Sequence, residues 1–347
     1  MKIAQLFSNY YKVTPNSNHA IYSHIAWLTN GLVKLGHDVT LYGSKESEVN
    51  CPVEHVLPAP ANEMNLNDII RRYYTHLSVS NCYKKADSYD LIHSHFNLVP
   101  AFYSSFVKIP TVTSIHYPVS SELYQLMQKC QGGNYISFSL AHKKSMPKLN
   151  WIANIYHGID TKLFSFNPKP KPYLLYLGRI TEQKGVHLAI EAAKAAGMQL
   201  VIAGYSYGNE GYWHEKIEKY IDGKTVRYVG EANFEQKIDY IRNATALLFP
   251  TQVNEHFGYS MIEAMSCGTP VIGWKNGSIP EVIQHRETGY CVASVKEMVK
   301  AIQSIDKISR KATRERAVKL FSVEKMVSGY NKVYERIIEK NKSIKSK

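Results

Sequence analysis

Short apolar runs alternate with helical patterns along the chain. KIAQLF, HDVTLYG, DLIHSHF and TVTSIHY are strand-like. Between the first two, Ile21, Ile25, Leu28 and Leu32 recur at the spacing of one helix face, and Gly36 falls where a left-handed C-terminal cap belongs. This rhythm predicts βαβ units and a parallel sheet. NPKPKPYLLYLG then places three prolines ahead of an apolar strand, which reads as an extended interdomain linker. The alternation resumes with YLLYLG, VHLAIEAAKAAG, QLVIAG, KTVRYVG, FEQKIDYIRNA, ALLFP, GYSMIEAMSCG and TPVIGW, predicting a second open parallel sheet. In SVEKMVSGYNKVYERIIEK, Met326, Tyr330, Val333, Tyr334 and Ile337 share a face, so the stretch should pack as an amphipathic helix. The expected layout is an α/β chain of two Rossmann-like domains, 1–166 and 167–322, followed by a C-terminal helix and basic tail over 323–347.

The length of 347 residues agrees, since it exceeds what one core usually organises. Apolar residues make up 44% and charged ones 20%, and no apolar run approaches a membrane span. MKIAQLFSNYYK holds too short an apolar stretch for a signal peptide, which predicts a cytoplasmic address. Five scattered cysteines without a CxxC pair read as reduced thiols. The net charge of +13 suits anionic partners such as nucleotide sugars, acidic lipid surfaces or nucleic acid without choosing among them. Its local concentrations, KATRERAVK and KNKSIKSK, read first as solvated helix faces.

Neither GxGxxG after a strand nor GxxxxGK[ST] occurs, which weighs against dehydrogenase and P-loop chemistry. The informative segment is EHFGYSMIEAMSCGTPVIG. Glu255 lies just past the strand ALLFP, and Glu263 sits within the following helix. Ligands of open α/β sheets bind at that carboxyl edge, where a carboxylate suits the vicinal hydroxyls of a ribose or hexose. Gly258 lets a phosphate or sugar approach backbone N–H groups at the helix start. In YLGRITEQKG, Arg179 and Lys184 follow another strand; two fixed cations can stabilise a departing diphosphate in place of a metal, and no Asp-x-Asp sequence is present to hold magnesium. His116 follows TVTSI at the edge of the first sheet. His93 and His95 share a strand face, but no nearby cysteine or acid cluster completes a metal site, so none is expected.

With these segments in order, the chain resembles the family-4 glycosyltransferases over nearly its whole length. LGRITEQKG is similar to that family's donor phosphate segment, EHFGYSMIEAMSCGTPVIG to its acidic donor motif, and NGSIPEVIQHRETGYCV to the stretch that follows. AWLTNGLVKLGHDVTLYGS, NWIANIYHGID and GVHLAIEAAKAAGMQLVIAG look similar to a compact subgroup that includes UDP-glucose:tetrahydrobiopterin glucosyltransferase. The resemblance implies a GT-B fold with two domains facing across a cleft, a last helix crossing back to the first domain, and metal-independent retaining transfer of a hexose. It implies a nucleotide-sugar donor, UDP-sugar favoured, and an unidentified acceptor. By position, Arg179 and Lys184 would hold the donor diphosphate, Glu263 the ribose hydroxyls, and Glu255 the donor sugar, with Phe257 and Gly258 beside them. His116 would contact the transferring sugar.

Two departures stand out. PNSNHAIY puts His19 and Ala20 where most members carry a Gly-Gly pair, so either the loop is reshaped or donor binding is weakened. His256 also stands beside Glu255. The departures keep open a second reading, a donor-binding protein with impaired catalysis. Epimerase or phosphorylase chemistry on the same fold matches the motifs poorly, and a nucleic-acid partner draws on charge alone. PAPANEMNLNDIIRRYYTHLSVSN carries no acceptor motif; Tyr73, Tyr74 and Tyr83 could stack on a ring, with packing on a helix face the plainer use. A lipid-linked acceptor would bring the basic surface to a membrane.

Overall fold

The computed structural model describes residues 1–130, 133–206 and 210–345, with side chains described to residue 343; the last two residues of the tail KNKSIKSK lie outside it. The chain forms two compact units, one of Met1–Phe138, Lys143–Gly158 and Val323–Lys347, the other of Ser139–His142 and Ile159–Ser322.

The strands of the first unit are β1 (Lys2–Leu6), β2 (Asp38–Tyr42), β3 (Val53–Glu54), β4 (Leu91–Ser94), β5 (Thr111–Ser114), β6 (Asn134–Ser137) and β7 (Trp151–Asn154). They form one parallel sheet in the order β3-β2-β1-β4-β5-β6-β7. The helices are α1 (Ala20–Lys34), α2 (Asp68–Lys84), α3 (Ala101–Ser104) and α4 (Ser121–Lys129), while α5 (Leu140–Ser145) starts among residues counted with the second unit and ends in the first. Strands central to a parallel sheet are covered on both faces, and β4 is accordingly buried throughout. Gly36 has φ +84, the conformation expected of a cap after α1.

In the second unit β8 (Tyr173–Leu177), β9 (Gln199–Ala203), β10 (Val226–Tyr228), β11 (Ala246–Phe249), β12 (Val271–Trp274) and β13 (Gly289–Val292) pair in parallel in the order β10-β9-β8-β11-β12-β13. Its helices are α6 (Val186–Ala195), α7 (Glu210–Lys216), α8 (Phe234–Asn243), α9 (Tyr259–Ser266), α10 (Ile279–Val282), α11 (Val295–Gln303) and α12 (Arg310–Phe321). Each sheet grows outward from its first strand, returns, and continues on the other side. The switch points lie between β1 and β4 and between β8 and β11. Crevices at such points are where ligands enter open α/β sheets.

The last helix, α13 (Val323–Lys345), belongs to the first unit and packs on α1. Gly31 of α1 makes the approach feasible, because a Cβ there would stand 2.4 Å from Cγ2 of Val327. The apolar face read from sequence is the buried one: Met326, Tyr330, Val333, Tyr334 and Ile337 are all under cover.

The basic run KATRERAVK is only in part the solvated face expected of it: Lys311, Glu315 and Lys319 are exposed, but Arg314 and Arg316, with Arg310 just before the run, turn inward. It lies in α12, where three arginines donate to the carbonyls that end other helices. Arg310 reaches Arg242 and Ala244 at the end of α8, at 2.9 and 3.0 Å. Arg314 reaches Ser266 at the end of α9, and Arg316 reaches Glu281 and Val282 of α10 at 2.9 and 3.0 Å. The last carbonyls of a helix lack intrahelical donors and carry partial negative charge, so a guanidinium fork satisfies both needs. Burial pushes the Arg310 pKa down to about 10. Part of the net charge is thus spent inside the second unit.

Candidate functional site

The carboxyl ends of β8 and β11 are adjacent, which brings the two motif segments together. After β8 the chain turns through Gly178, Arg179 and Ile180 into a short 3-10 turn, Glu182–Lys184, where the Thr181 hydroxyl accepts the Lys184 N–H at 3.3 Å. Gly185 closes it at φ +72; a Cβ there would strike the Pro250 carbonyl oxygen at 2.2 Å, so glycine is needed twice over. The loop after β11 is tied to this turn by Gln252. Its backbone N–H donates to the Gln183 carbonyl and its side-chain amide to the Glu182 carbonyl, both at 2.8 Å. The same loop is pinned from behind by Ser278, whose N–H donates to the Glu255 carbonyl at 2.9 Å and whose hydroxyl donates to the Phe257 carbonyl at 3.0 Å.

These ties place the Lys184 Nζ 2.5 Å from Oε2 of Glu255, with the two side chains 21% and 17% exposed. The ammonium also lies 5.9 Å from the centre of the Phe249 ring. Three ammonium hydrogens and two carboxylate oxygens leave the pair with unused donors and acceptors for a ligand. Gly258 follows at φ +87, where a side chain would be strained and a Cβ would meet Met261 Cε at 2.7 Å; it opens α9. Glu263, one turn further along α9, is 4% exposed.

Glu263 has a partner that no sequence motif marks. Lys237 on α8 donates to its Oε1 at 2.6 Å, and its Nζ stands 4.9 Å from the Phe234 ring centre. Lys237 sits in FEQKIDYIRN, an ordinary amphipathic pattern, and the only local signal was the Asn233–Gln236 capping box that fixes where the helix starts. Arg179 is exposed and makes no ion pair among the described residues; its carbonyl accepts from the Tyr176 hydroxyl at 2.7 Å. Phe257 is buried against Phe321, ring centres 5.6 Å apart, so its side chain belongs to the core and only its backbone remains for a ligand. His256 stacks on His142 at 4.2 Å, and burial lowers the pKa of both, His142 to about 3.

In the first unit, His19 is the N-cap of α1 and Ala20 its first residue. His19 has φ −94 and stacks on Tyr11 with centres 4.0 Å apart, so the loop does without the left-handed backbone a glycine would serve. His116 lies two residues past the end of β5. It joins a cluster that sequence reading left unassembled: one ring nitrogen each of His24, His95 and His116 lies within 4.8 Å of the others. His95 Nδ1 and His116 Nε2 are 2.9 Å apart. Two imidazole nitrogens on one tetrahedral zinc stand roughly 3.3 Å apart, given Zn–N bonds of about 2.0 Å. The observed separation is that of a shared proton. Of the tyrosines, Tyr73 is 66% exposed and so is not used for packing, whereas Tyr83 is buried, bonded to Thr111 at 2.9 Å and stacked on Tyr103.

Comparison with known proteins shows the family and the fold. Residues 23–162 match the family described as Glycosyltransferase Family 4, and residues 160–319 match Glycosyl transferases group 1. An uncharacterized glycosyltransferase of Methanocaldococcus jannaschii is 23% identical over 90% of this chain and 93% of its own length. A glycogen synthase of Mycobacterium tuberculosis is 28% identical over 62% of this chain and 60% of its own length. Among solved structures, a glycosyltransferase involved in avilamycin A biosynthesis superposes with a TM-score of 0.74 at 22% identity, covering 97% of this chain and 98% of that one. Anabaena HepE in complex with UDP-glucose superposes at 0.69 and 18% identity, covering 99% of this chain and 100% of that one. Two parallel sheets of seven and six strands with these matches identify the fold as GT-B, and with family models spanning residues 23–319 the chain is a glycosyltransferase of that type, a family-4 domain followed by a group 1 domain.

Proposed function

We propose that this enzyme moves a hexose from a UDP-sugar to an acceptor hydroxyl with retention of configuration and without a metal ion. The observation that carries the reading is the Lys184–Glu255 pair, held by Gln252 and Ser278 at the switch point of the second sheet beside the open backbone of Gly258. In this reading Lys184 and Arg179 take the donor diphosphate, the N–H groups at the start of α9 add their dipole, Glu255 takes sugar hydroxyls and Glu263 those of the ribose. His116 contacts the transferring sugar. The C1–phosphate bond breaks as the acceptor oxygen bonds C1 on the same face, and the acceptor proton passes to the leaving phosphate. Cations on that phosphate stabilise the developing charge, the service a metal would otherwise give. The complex of Anabaena HepE with UDP-glucose favours UDP as the donor nucleotide.

The first experiment is binding and slow hydrolysis of UDP-, GDP- and ADP-sugars in EDTA, with Glu263→Ala alongside. One donor should bind and be cleaved, and Glu263→Ala should weaken its binding by about tenfold or more, the factor a lost hydrogen bond to a charged group makes. Binding without cleavage or transfer to any acceptor would favour the impaired donor-binding reading, which the His19 and Ala20 loop keeps open.

For the acceptor, the resemblance of the N-terminal half to the tetrahydrobiopterin glucosyltransferase subgroup puts a pterin on the panel, and the surface of the first unit puts a lipid-linked sugar there too. No helix among the described residues is long and apolar enough to cross a membrane. Yet Ile69, Tyr73 and Leu77 recur every four residues on α2 and are exposed, and Phe106, just past the adjoining α3, is 82% exposed. Exposed Arg72 and Lys108 lie among them in sequence. Exposed apolar side chains with cations next to them in sequence suit the face of an acidic bilayer. Sedimentation with vesicles of anionic phospholipid should carry the protein down at low salt, and Tyr73→Ser with Phe106→Ser should leave it in the supernatant. Equal recovery of both forms with the vesicles would sink the membrane contact.

A further inference from the structure

Two ion pairs of the second unit are largely covered, and each holds an acid of the segment EHFGYSMIE: Lys184–Glu255, and Lys237–Glu263 at 2.6 Å with side chains 13% and 6% exposed. The pair Arg242–Asp239, also on α8, is by contrast 44% and 55% exposed. Taking two charges out of water costs about as much as their attraction returns, and an apolar pair of similar volume would brace α8 against α9 as well or better. A covered ion pair at a ligand site therefore points to a use for its charges rather than to a brace. Lys184 has the diphosphate to serve in the proposed mechanism. Lys237 has only Glu263.

The lysine is held from several sides. The capping box of Asn233 and Gln236 sets where α8 starts, and the Lys237 N–H donates to the Asn233 carbonyl at 2.8 Å. Its ammonium stands 4.9 Å from the centre of the Phe234 ring and 5.8 Å from that of Phe164, two rings that meet edge to face with centres 6.0 Å apart. Arg314 in turn donates to the Phe164 carbonyl at 2.6 Å. Two rings and a carboxylate thus fix the cation in one place. The last torsion of a glutamate is soft, so a free Glu263 carboxylate would turn. With Oε1 held by Lys237 it does not, and no donor among the described residues is bonded to Oε2. We propose that Lys237 is a positioning residue for the donor nucleotide: by holding Oε1 it keeps Oε2 of Glu263 set to accept a hydrogen bond from a ribose hydroxyl, so that the site selects ribonucleotide over deoxyribonucleotide donors. This rests on the ribose role given above to Glu263 and adds the group on which that role depends. A site built to bond a hydroxyl rejects the analogue lacking it, because the polar group left behind stays unpaired under cover.

The test is calorimetric titration of the full chain with UDP, 2′-deoxy-UDP and 3′-deoxy-UDP, or with the matching set for guanosine or adenosine where the donor panel selects that base. The natural protein should prefer the ribonucleotide over at least one deoxy form by about tenfold or more, the factor of a hydrogen bond to a charged group. Lys237→Met should weaken UDP and leave that deoxy form nearly unchanged, so the preference shrinks toward parity, as it should in Glu263→Ala. Lys237→Arg keeps a cation and should recover part of it. Loss of a mere brace would instead weaken all three nucleotides alike and leave their ratio as it was. A natural preference retained in Lys237→Met but abolished in Glu263→Ala overturns the proposal and leaves the role of Glu263 standing. Equal binding of UDP and both deoxy forms by the natural protein overturns that role, and the proposal with it. Should Lys237→Met not fold, a crystal structure of the natural protein with UDP decides: Oε1 still on Lys237 with Oε2 on a ribose hydroxyl is the expected result, and an ion pair opened by the nucleotide overturns the proposal.

Discussion

Lys184→Ala should reduce sugar transfer by about 10²- to 10³-fold, the cost of removing one preorganised group from a developing negative charge, roughly 2.7–4 kcal/mol. Two physical effects add. In the proposed mechanism the leaving diphosphate loses a cation, and Glu255, 17% exposed and 2.5 Å from Lys184 in the native site, is left as an uncompensated carboxylate. The loss should therefore be reflected in donor affinity, measured by calorimetry, as well as in kcat. Lys184→Arg should restore only part of it: the planar fork is bulkier and the Gln252 tie fixes how far the turn can give. Glu255→Gln in the Lys184→Ala background removes the stranded charge, so the double substitution should bind the donor nucleotide better than Lys184→Ala alone. A Lys184→Ala protein that melts lower but binds and transfers as before would show the ion pair to be a structural brace only.

The parts of this site visible in sequence are those that follow directly on a strand end. Arg179 and Lys184 come just after β8, and Glu255 just after β11; once two strands are taken as parallel, their following loops must lie on one edge, so spacing alone brings the segments near each other. What stayed hidden depends on pairings across long separations. Lys237 meets Glu263 only because α8 and α9 pack side by side, and no pattern in FEQKIDYIRN distinguishes it from a solvated lysine. Gln5 meets His95 because β1 registers on β4, and Gln5 and His93 meet Tyr334 because α13 returns over the first unit. The arginines of α12 show the opposite error. The basic run KATRERAVK read as a solvated helix face, but the ends of two other helices claim its Arg314 and Arg316, and a third claims Arg310 beside it. Residue type and local pattern locate a charge on an element; they do not say which carbonyl or carboxylate the tertiary fold brings to it.

Acid should unfold the first unit well before its acidic groups titrate. His24, His93 and His95 have no exposure, and burial pushes their pKa values down, that of His24 to about 3. In the unfolded chain each titrates near 6.5. The folded pKa being the lower one, the unfolded state binds more protons between the two values, so stability is fully present above about pH 6.5 and is lost as pH falls from there toward about 3. Each histidine removes about 1.4 kcal/mol per pH unit in that window, and three together on the order of 4. Against a usual domain stability of about 5–15 kcal/mol, a drop from pH 6.5 to 5 is enough to bring the unit near its midpoint. Calorimetric scans at half-unit steps between pH 7.5 and 4.5 should show one transition moving steeply down below about pH 6.5, and hydrogen exchange should assign it to β1, β4 and β5. His24→Leu, which takes one of the three imidazoles out of the balance, should flatten that slope by about a third even if it lowers the melting temperature at neutral pH. A transition that stays level from pH 7 to 5 would mean that these rings take up protons in the folded unit, and the neutral core described for it would be wrong.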